Sequence, residues 1–282
     1  MAKRIIVITG ASDGIGAAAA RRLAAQGHRL LLVGRSPEKT SRVAKEVGAE
    51  YFVADFEKLD DVRRVAADIH GTVDHIDVLA NNAGGLFGDR TITVDGNERT
   101  LQVNHLAPFL LTNLLIDLLL AGEGVVVNTS SSAARLAGKL DMKTLDDLTY
   151  ANQYSAMSAY GDAKLANALF SRGLQTRYGA QGISSVAFDP GNVRTNFASN
   201  TSSIARVIYR TPLSRLMLIS AEKGGSNLAF FIEGTPGVTW EPGQFYTQTK
   251  RATARQTNPR VGDDLLVDAL WQKSNQIVSP TA

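Results

Sequence analysis

The stretch that decides the fold is IIVITGASDGIG, at residues 5–16. It joins a run of β-branched residues, typical of a buried strand, to a glycine-rich turn that opens an alanine-rich helix. Gly10, Gly14 and Gly16 have the spacing Gly-x-x-x-Gly-x-Gly. Glycines let the backbone approach a diphosphate closely, and the N-terminus of a helix offers unpaired N–H groups to an anion. The stretch therefore predicts a strand–turn–helix unit that binds a dinucleotide.

The rest of the chain continues this alternation of short apolar runs and longer helical patterns, which is typical of βαβ units and a parallel sheet. The predicted strands are 4–9, 29–33, 50–54, 76–81, 124–129, 183–188 and 244–246. The predicted helices are 14–26, 37–47, 59–70, 95–121, 158–178, 221–233 and 263–273. We therefore expect an α/β protein, a three-layer doubly wound Rossmann fold with a seven-stranded parallel sheet, as a single domain over residues 1–282.

Two stretches interrupt this alternation, at about 132–159 after the fifth strand and at about 192–220 after the sixth. Loops at the carboxyl ends of parallel strands carry the ligand site, so we expect these insertions to form the substrate pocket. Tyr150, Tyr154 and Phe197 within them favour a sizeable apolar or aromatic substrate, although core packing explains such residues as often.

The composition excludes several classes of protein. A chain of 282 residues without cysteine has no disulfides, no thiolate nucleophile and no Cys-ligated zinc. Its 30 basic and 27 acidic residues are spread along the chain, which gives no indication of nucleic-acid binding. The 4 scattered histidines predict no metal site. No apolar run is long enough for a membrane span, so we expect a soluble protein, and a cytoplasmic location fits the lack of cysteine.

Arg35 and Ser36 follow the second predicted strand, where an NAD-binding protein would place an acidic residue on the ribose 2′-hydroxyl. An arginine can form a bidentate pair with a 2′-phosphate, so this position favours NADP(H) over NAD(H). The alternative is that Arg35 is a solvated turn residue. Asp13, in the glycine turn, argues against a third phosphate because it is acidic.

Polar and small residues also follow the third and fourth predicted strands. Asp55 is placed to accept a hydrogen bond from an adenine amino group, or else to cap the helix that begins near Leu59. Asn82, Ala83 and Gly84 combine a side-chain amide with small residues that leave room for a flat ring. An ordinary turn is the alternative for these three residues.

Tyr160 and Lys164 lie four residues apart in a long helical pattern, which places the phenol and the ammonium on one helix face. A cation beside a phenol lowers the pKa of the phenol and makes it a usable acid–base group. Tyr246 and Lys250 have the same spacing, but they lie in a Thr-rich, strand-like stretch, so we interpret that copy as coincidence.

Serines 130–132 end the fifth predicted strand, where a hydroxyl could reach the substrate oxygen or simply form a turn. Asn104 lies among apolar residues in a predicted helix, so its amide needs partners. It either caps a local kink or holds a water that passes protons to Lys164. His105, the neighbouring residue, is interpreted as structural.

Together these motifs resemble the short-chain dehydrogenase/reductase family in its single-domain form, and their order along the chain makes the resemblance specific. Residues 104–112 (NHLAPFLLT) and 163–170 (AKLANALF) are similar to the retinol-dehydrogenase-like branch, as is the long gap between serine and tyrosine. That branch favours NADP(H). The membrane-anchoring N-terminus common among retinol enzymes is not apparent, so a retinoid substrate is not implied.

The resemblance implies roles for individual residues. Tyr160 resembles the acid–base residue, Lys164 its tuner and ribose clamp, and Asn104 the proton-relay asparagine. By the same resemblance Ser131 is the serine that binds the substrate oxygen, because Asn128 lies three residues before it. The implied cofactor-binding residues are Gly10, Ser12, Asp13, Gly14, Ile15, Gly16, Arg35, Ser36, Asp55, Phe56, Asn82, Ala83, Gly84, Tyr160, Lys164, Pro190, Gly191, Val193 and Thr195.

The expected function is NADP(H)-dependent hydride transfer between the nicotinamide and a small-molecule carbonyl or alcohol. An alternative is a catalytically silent NADP(H)-binding sensor or scaffold, but Ser131, Tyr160 and Lys164 are all present. A sugar-nucleotide epimerase or dehydratase is a third possibility, and its glycine spacing differs. By analogy with the family, the helices 95–121 and 158–178 could pair copies of the chain in a homodimer or homotetramer.

Overall fold

A computed structural model describes residues 3–191 and 219–279 of the chain. These residues form one sheet with the strand order β3-β2-β1-β4-β5-β6-β7-β8. Seven strands are parallel: β1 Ile5–Thr9, β2 Arg29–Gly34, β3 Glu50–Val53, β4 Val78–Asn81, β5 Val125–Thr129, β6 Ser184–Asp189 and β7 Phe245–Thr247. An eighth, unpredicted strand, β8 Lys250–Arg251, pairs antiparallel with β7 at the edge. The predicted α/β fold is confirmed, with one strand more than expected.

Helices cover both faces of the sheet, as a doubly wound fold requires. One face carries α1 Gly14–Ala25, α2 Pro37–Val47 and α9 Ala221–Glu233. The other carries α3 Leu59–His70, α5 Ala107–Leu114, α6 Ile116–Ala121, α8 Ala156–Tyr178 and α10 Asp264–Val278. Successive residues of a strand point to opposite faces. Accordingly Ile6 and Ile8 pack in the first layer and Val7 in the second.

Short helical segments complete the described part of the chain. Helix α4 spans Arg99–Leu101, α7 spans Ala133–Leu136, and 3-10 turns lie at Thr144–Asp146, Gly179–Gln181 and Pro259–Gly262. Helix α8 begins two residues before its predicted start because the hydroxyl of Ser155 accepts a hydrogen bond from the N–H of Ser158. Most of the second insertion, residues 192–218, lies outside the described residues.

The predicted start of the helix at residue 95 is wrong. Helical structure begins with α4, and the carboxylate of Glu98 caps it by accepting from the N–H of Leu101 at 2.8 Å. Asp95 lies before the helix and accepts from the N–H of Leu59, at the start of α3. Apolar periodicity identified the helix, but it could not indicate which of two nearby acidic residues caps it.

The prediction of one unbroken helix to residue 121 is wrong as well. A π-helical turn, Gln102–Leu106, separates α4 from α5. Leu115, with φ −103° and ψ 13°, separates α5 from α6. π-Helical turns within helices occur frequently at functional sites, and this one contains Asn104.

The C-terminal helix α10 packs against α5 and α8 on the outer face of the second layer. The indole of Trp271 lies 5.1 Å from the ring of Phe109 and 5.6 Å from that of Phe170, measured between centroids. The guanidinium of Arg177 stacks on the indole at 4.4 Å. Part of the surface through which copies were expected to pair is thus already covered by the chain itself. Pairing through these helices remains a prediction.

We expect Trp271→Ala to lower the free energy of unfolding by about 3 to 5 kcal/mol, the usual cost of removing a large buried aromatic side chain. Chemical denaturation of the two proteins measures this loss. Leu265→Ala is the matched control, because Leu265 lies on the same helix with its side chain 77% exposed. It should change stability by no more than about 0.5 kcal/mol. Equal losses in the two variants would show that α10 is not held by this aromatic cluster.

Candidate active site

The glycine turn after β1 is packed so tightly that larger residues do not fit. Gly10 has φ +67°, and a Cβ there would lie 2.8 Å from the Cα of Ala83. A Cβ on Gly16 would collide with the carbonyl oxygen of Gly10. Asp13 caps α1, since its carboxylate accepts from the N–H of Gly14 at 2.8 Å. The turn therefore presents its backbone and the start of α1 to the open edge of the sheet.

A cleft of about 910 Å³ runs along the carboxyl edge of the sheet, from the end of β2 to the start of α8. Predicted site residues that line it are Gly10, Ser12, Asp13, Gly14, Ile15, Arg35, Ser36, Asp55, Phe56, Asn82, Ala83, Gly84, Ser131, Tyr160, Lys164, Pro190 and Gly191. Gly16 and Asn104 lie behind this lining. Val193 and Thr195 lie outside the described residues. An elongated cleft over a glycine turn and a helix N-terminus fits a dinucleotide.

Basic side chains surround the end of the cleft at β2. The side chain of Arg35 is 61% exposed and lies 3.8 Å from a carboxylate oxygen of Glu57. Lys39, which the sequence analysis missed, also lines the cleft and lies 3.5 Å from the carboxylate of Asp13. Asp13 thus caps α1 and lies beside Lys39, and its acidity remains an argument against a third phosphate. Ser36 caps α2 by accepting from the N–H of Lys39.

Asp55 lines the cleft and does not cap the helix that follows it. Its carboxylate accepts from the N–H of Glu57, and its own N–H donates to Asp61. The N-cap residue of α3 is Lys58, and the carboxylate of Asp95 accepts from the first N–H of that helix. The alternative assignment of Asp55 as a helix cap is therefore wrong.

The hydroxyl of Thr9 braces the loop after β4. It accepts from the N–H groups of Asn82 and Ala83, both at 3.0 Å, and the amide nitrogen of Asn82 donates to the carbonyl oxygen of Thr9. These bonds join the end of β1 to the loop after the adjacent strand β4, where the cleft crosses the sheet. Thr9 was not predicted as a site residue, although it directly precedes the glycine turn.

One end of the cleft, called the catalytic end after the role predicted for its residues, brings together Ser131, Tyr160 and Lys164. Tyr160 is 7% exposed and packs with Leu86 and Ala133, two residues after Ser131. The hydroxyl oxygen of Ser131 accepts from the N–H of Ala133 at 3.2 Å. The phenol, the hydroxyl and the ammonium of Lys164 all line one end of the same cleft.

Lys164 is a buried cation held by backbone. Its Nζ donates to the carbonyl oxygen of Thr129 at 3.1 Å and lies 5.6 Å from the centre of the Tyr160 ring. Burial lowers the pKa of Lys164 to about 7, because a buried ammonium loses its hydration. The pKa of Lys164 is thus close to neutral pH, as a side chain that exchanges protons at neutral pH requires.

Asn104 is fully buried in the π-helical turn. Its amide nitrogen donates to the carbonyl oxygens of Thr100 and Gly85, both at 2.8 Å, and its oxygen accepts from the N–H of Gly85. A Cβ on Gly84 would collide with this oxygen and lie 3.1 Å from Nζ of Lys164. Asn104 therefore bonds within the irregular helix and also lies beside the lysine, and its proton-relay role remains a prediction.

Two of the aromatic residues expected in the substrate pocket lie away from the cleft. Tyr150 and Tyr154 do not line the cleft, and their hydroxyls donate to the carboxylates of Asp162 and Glu98. Their assignment to the pocket wall is wrong, because both side chains anchor the first insertion. Phe197 lies outside the described residues.

Several residues that line the catalytic end were not predicted as site residues. They are Gly85, Leu86, Phe87, Val103, Thr129 and Asp189. Other lining residues were anticipated: Ser130 and Ser132 were alternatives to Ser131, and Ala133, Leu136, Ala137 and Met157 belong to the first insertion, which was expected to form the substrate pocket. The carboxylate of Asp189 accepts from the N–H of Gly191 at 3.0 Å, and burial raises the pKa of Asp189. Its position directly before Pro190 was the signal available in the sequence.

The second Tyr-x-x-x-Lys copy lies in strands, as predicted, and these strands form a hairpin. Tyr246 lies in β7 and packs on Phe231, with ring centroids 5.3 Å apart, and Lys250 begins β8. Gln248 turns the chain between them with φ 55°. The phenol and the lysine therefore lie on two different strands, and neither residue lines the cleft.

The fold and the cleft define an α/β protein of the dinucleotide-binding oxidoreductase type. The family model for the short chain dehydrogenase matches residues 4–141. A protein of Streptomyces sp. (strain C5), named as a candidate daunorubicin C-13 ketoreductase, is 37% identical over 99% of this chain and 94% of its own length. The chain belongs to the short-chain dehydrogenase/reductase family.

Further relatives confirm the resemblance to the retinol-dehydrogenase-like branch. Retinol dehydrogenase 13 of Homo sapiens is 30% identical over 98% of this chain and 84% of its own length. A crystal structure of an uncharacterized protein from Mycobacterium paratuberculosis superposes with a TM-score of 0.76 at 30% identity, over 98% of this chain and 94% of that chain. Among the described residues, no helix combines the length and the apolar character needed to cross a membrane.

The titration of Lys164 predicts a pH-dependent stability. Unfolding returns its pKa from about 7 to the ordinary 10.5, so the unfolded chain binds the extra proton between these values. The cost of burying the charge is therefore fully present below pH 7 and disappears toward pH 10.5. Lys164→Met removes the charge, and Asn167 remains as a donor to Thr129. We expect this variant to be more stable than wild type at pH 6, with a gain that shrinks as the pH rises.

Urea denaturation at pH 6, 8 and 10 tests this expectation. Lys45→Met is the control, because Lys45 is exposed on α2. A difference between Lys164→Met and wild type that stays constant across the three pH values would contradict a depressed lysine pKa.

Proposed function

We propose that this protein is an NADP(H)-dependent carbonyl reductase or alcohol dehydrogenase, acting mainly as a ketone or aldehyde reductase on sizeable apolar or aromatic substrates. One observation carries the proposal. Ser131, Tyr160 and the buried Lys164 line one end of a cleft whose other end presents Arg35 and Lys39. The first group suits proton transfer to a carbonyl oxygen, and the second suits a phosphorylated ribose.

The chemistry of the proposed site depends on where a proton is held. Bound NADPH would supply a hydride to the carbonyl carbon. The phenol of Tyr160 donates a proton to the carbonyl oxygen, while the hydroxyl of Ser131 donates a hydrogen bond to the same oxygen. The ammonium of Lys164 favours the phenolate that remains and returns a proton to it. In the oxidation direction the phenolate accepts the proton of the alcohol.

The preference for NADP(H) rests on the charges around Arg35. Its ion pair with Glu57 at 3.8 Å is long and exposed, and such surface pairs contribute little stability. A phosphate dianion can replace the carboxylate at small cost and form charge-assisted bonds with the guanidinium. Lys39 adds a second positive charge at the same end of the cleft.

The substrate class follows from the side chains beside the catalytic residues. Leu86, Phe87 and Val103 line the catalytic end, and Leu136 and Met157 extend it toward solvent. The last two are 68% and 51% exposed, so their apolar surface is open to a ligand that enters the cleft. The Streptomyces relative is named as a candidate daunorubicin C-13 ketoreductase, which supports a ketone as the substrate group.

Replacing Tyr160 by phenylalanine should lower turnover by at least about 100-fold, the usual scale for loss of a general acid. The measurement is oxidation of NADPH, followed by its absorbance, with a panel of aromatic ketones, aldehydes and quinones. Tyr246→Phe is the matched control, because Tyr246 belongs to the second Tyr-x-x-x-Lys copy, away from the cleft. Wild-type binding of NADPH without turnover of any carbonyl would favour the silent sensor or scaffold instead.

Replacing Arg35 by alanine should raise KM for NADPH about tenfold or more, because a charge-assisted bond to the phosphate is lost. KM for NADH should change little. Arg42→Ala is the control, since Arg42 is exposed on α2 and does not line the cleft. Steady-state kinetics with both cofactors provide the comparison, and a wild-type preference for NADH would refute the assignment.

A further inference from the structure

Two buried polar side chains lie directly behind the proposed reacting groups and take no part in the chemistry above. His105 follows Asn104 in the π-helical turn and is 1% exposed. Asn167 lies on α8, nearly one turn beyond Lys164, and is 2% exposed. Burying polar groups costs free energy unless their hydrogen bonds are satisfied. The partners of these two side chains therefore indicate their role.

The hydrogen bonds of this pair form a chain in which each group donates to the next, from Ser274 through His105 and Asn167 to Thr129. The amide nitrogen of Asn167 donates to the carbonyl oxygen of Thr129 at 3.1 Å. Its Oδ1 therefore faces Nδ1 of His105, at 3.3 Å. An amide oxygen only accepts, so Nδ1 of the imidazole carries the proton. Nε2 then accepts from the hydroxyl of Ser274 on α10, at 2.9 Å.

His105 keeps this arrangement at ordinary pH. Burial lowers the pKa of its imidazole to about 4, so the ring is neutral and has a single N–H to donate. The rings of Phe109 and Phe170 lie 5.9 and 6.1 Å from the imidazole, between centroids, and restrict its rotation. The single proton of the imidazole is thus directed at Asn167.

This chain of hydrogen bonds ends on the carbonyl oxygen of Thr129, which also accepts from Lys164. The carbonyl oxygen of Thr129 accepts from Asn167 and from Nζ of Lys164, each at 3.1 Å. A carbonyl oxygen has two lone pairs, so these two donors occupy both. Any displacement of Asn167 therefore changes the acceptor on which the ammonium of Lys164 is positioned.

The hydrogen bond between His105 and Asn167 also joins the two helical segments that carry the proposed proton relay. His105 belongs to the turn that contains Asn104, and Asn167 belongs to the helix that contains Lys164. The side chains of Asn104 and Lys164 approach each other at Gly84. The His105–Asn167 bond lies behind this approach and fixes one helix relative to the other.

We propose that His105 and Asn167 are positioning residues for the reaction: the Nδ1–H of His105 fixes the amide of Asn167, which in turn fixes the carbonyl that holds Lys164. This inference rests on the proposed function, since it assigns the pair to the same proton transfer. It differs from a packing role because it requires a donor at one particular ring nitrogen.

Two substitutions of His105 separate these roles. In His105→Asn the new amide nitrogen replaces Nδ1, so the donor to Asn167 is kept. In His105→Gln the amide nitrogen replaces Nε2, so that donor is lost. We expect kcat of the glutamine variant to fall about tenfold, as small displacements of catalytic groups do, with KM for NADPH unchanged. The asparagine variant should restore most of the wild-type kcat. His28→Gln is the control for loss of a buried histidine elsewhere.

A second measurement needs neither substrate nor cofactor. In protein labelled with ¹³C-lysine, the Cε resonance of Lys164, assigned with Lys164→Arg, reports its titration. The glutamine variant should raise the pKa of Lys164 toward its ordinary value, because a loosened lysine regains hydration. The asparagine variant should leave that pKa near the wild-type value. A packing role would lower stability without separating the two variants.

The outcomes are distinct from those that test the proposed function. A wild-type protein that reduces no carbonyl refutes the function, and the lysine titration still decides the positioning role. Equal kcat and equal lysine pKa in the asparagine and glutamine variants would overturn the inference, whether both variants resemble wild type or both lose activity.

Discussion

The hydrogen bond from Lys164 to the carbonyl oxygen of Thr129 is the interaction on which the arrangement of the proposed active site depends. It joins the end of β5 to the middle of α8, and thereby places a cation beside the phenol of Tyr160. Burying an ammonium is unfavourable, as the lowered pKa of Lys164 shows. A second bond joins the same two elements, because the hydroxyl of Ser130 donates to the backbone carbonyl oxygen of Lys164 at 2.7 Å.

Most of the fold could be predicted from the sequence because its determinants are local. The strands before β7 centre on short apolar runs, and most long helices have periodic apolar residues beside a cap or a glycine. The failures have equally specific causes. Asp95 and Glu98 were both possible caps of α4, and the choice depends on tertiary contacts: Asp95 reaches α3, and Glu98 caps α4. The two-residue strand β8 is too short to have a pattern of its own.

The candidate site likewise has features that could be predicted from the sequence and features that could not. The glycine turn and the Tyr160–Lys164 pair lie on single elements, so their spacing along the chain already describes their geometry. The position of Lys39 in the cleft and the hydrogen bonds between His105 and Asn167 could not be predicted, because they depend on contacts with residues distant in the chain. The bond between His105 and Ser274, for example, spans 169 positions. Nothing in the local sequence of either residue indicates the other.

The β7–β8 hairpin has a consequence for the behaviour of the protein in concentrated solution. Sheet edges offer unpaired backbone groups on which another chain can add a strand, and this is a common start of aggregation. Here the edge beyond β7 is occupied by β8, whose Lys250 and Arg251 are both exposed. An incoming strand would have to approach two positive charges on a ladder only two residues long. The hairpin thus gives this end of the sheet its own protection against self-association.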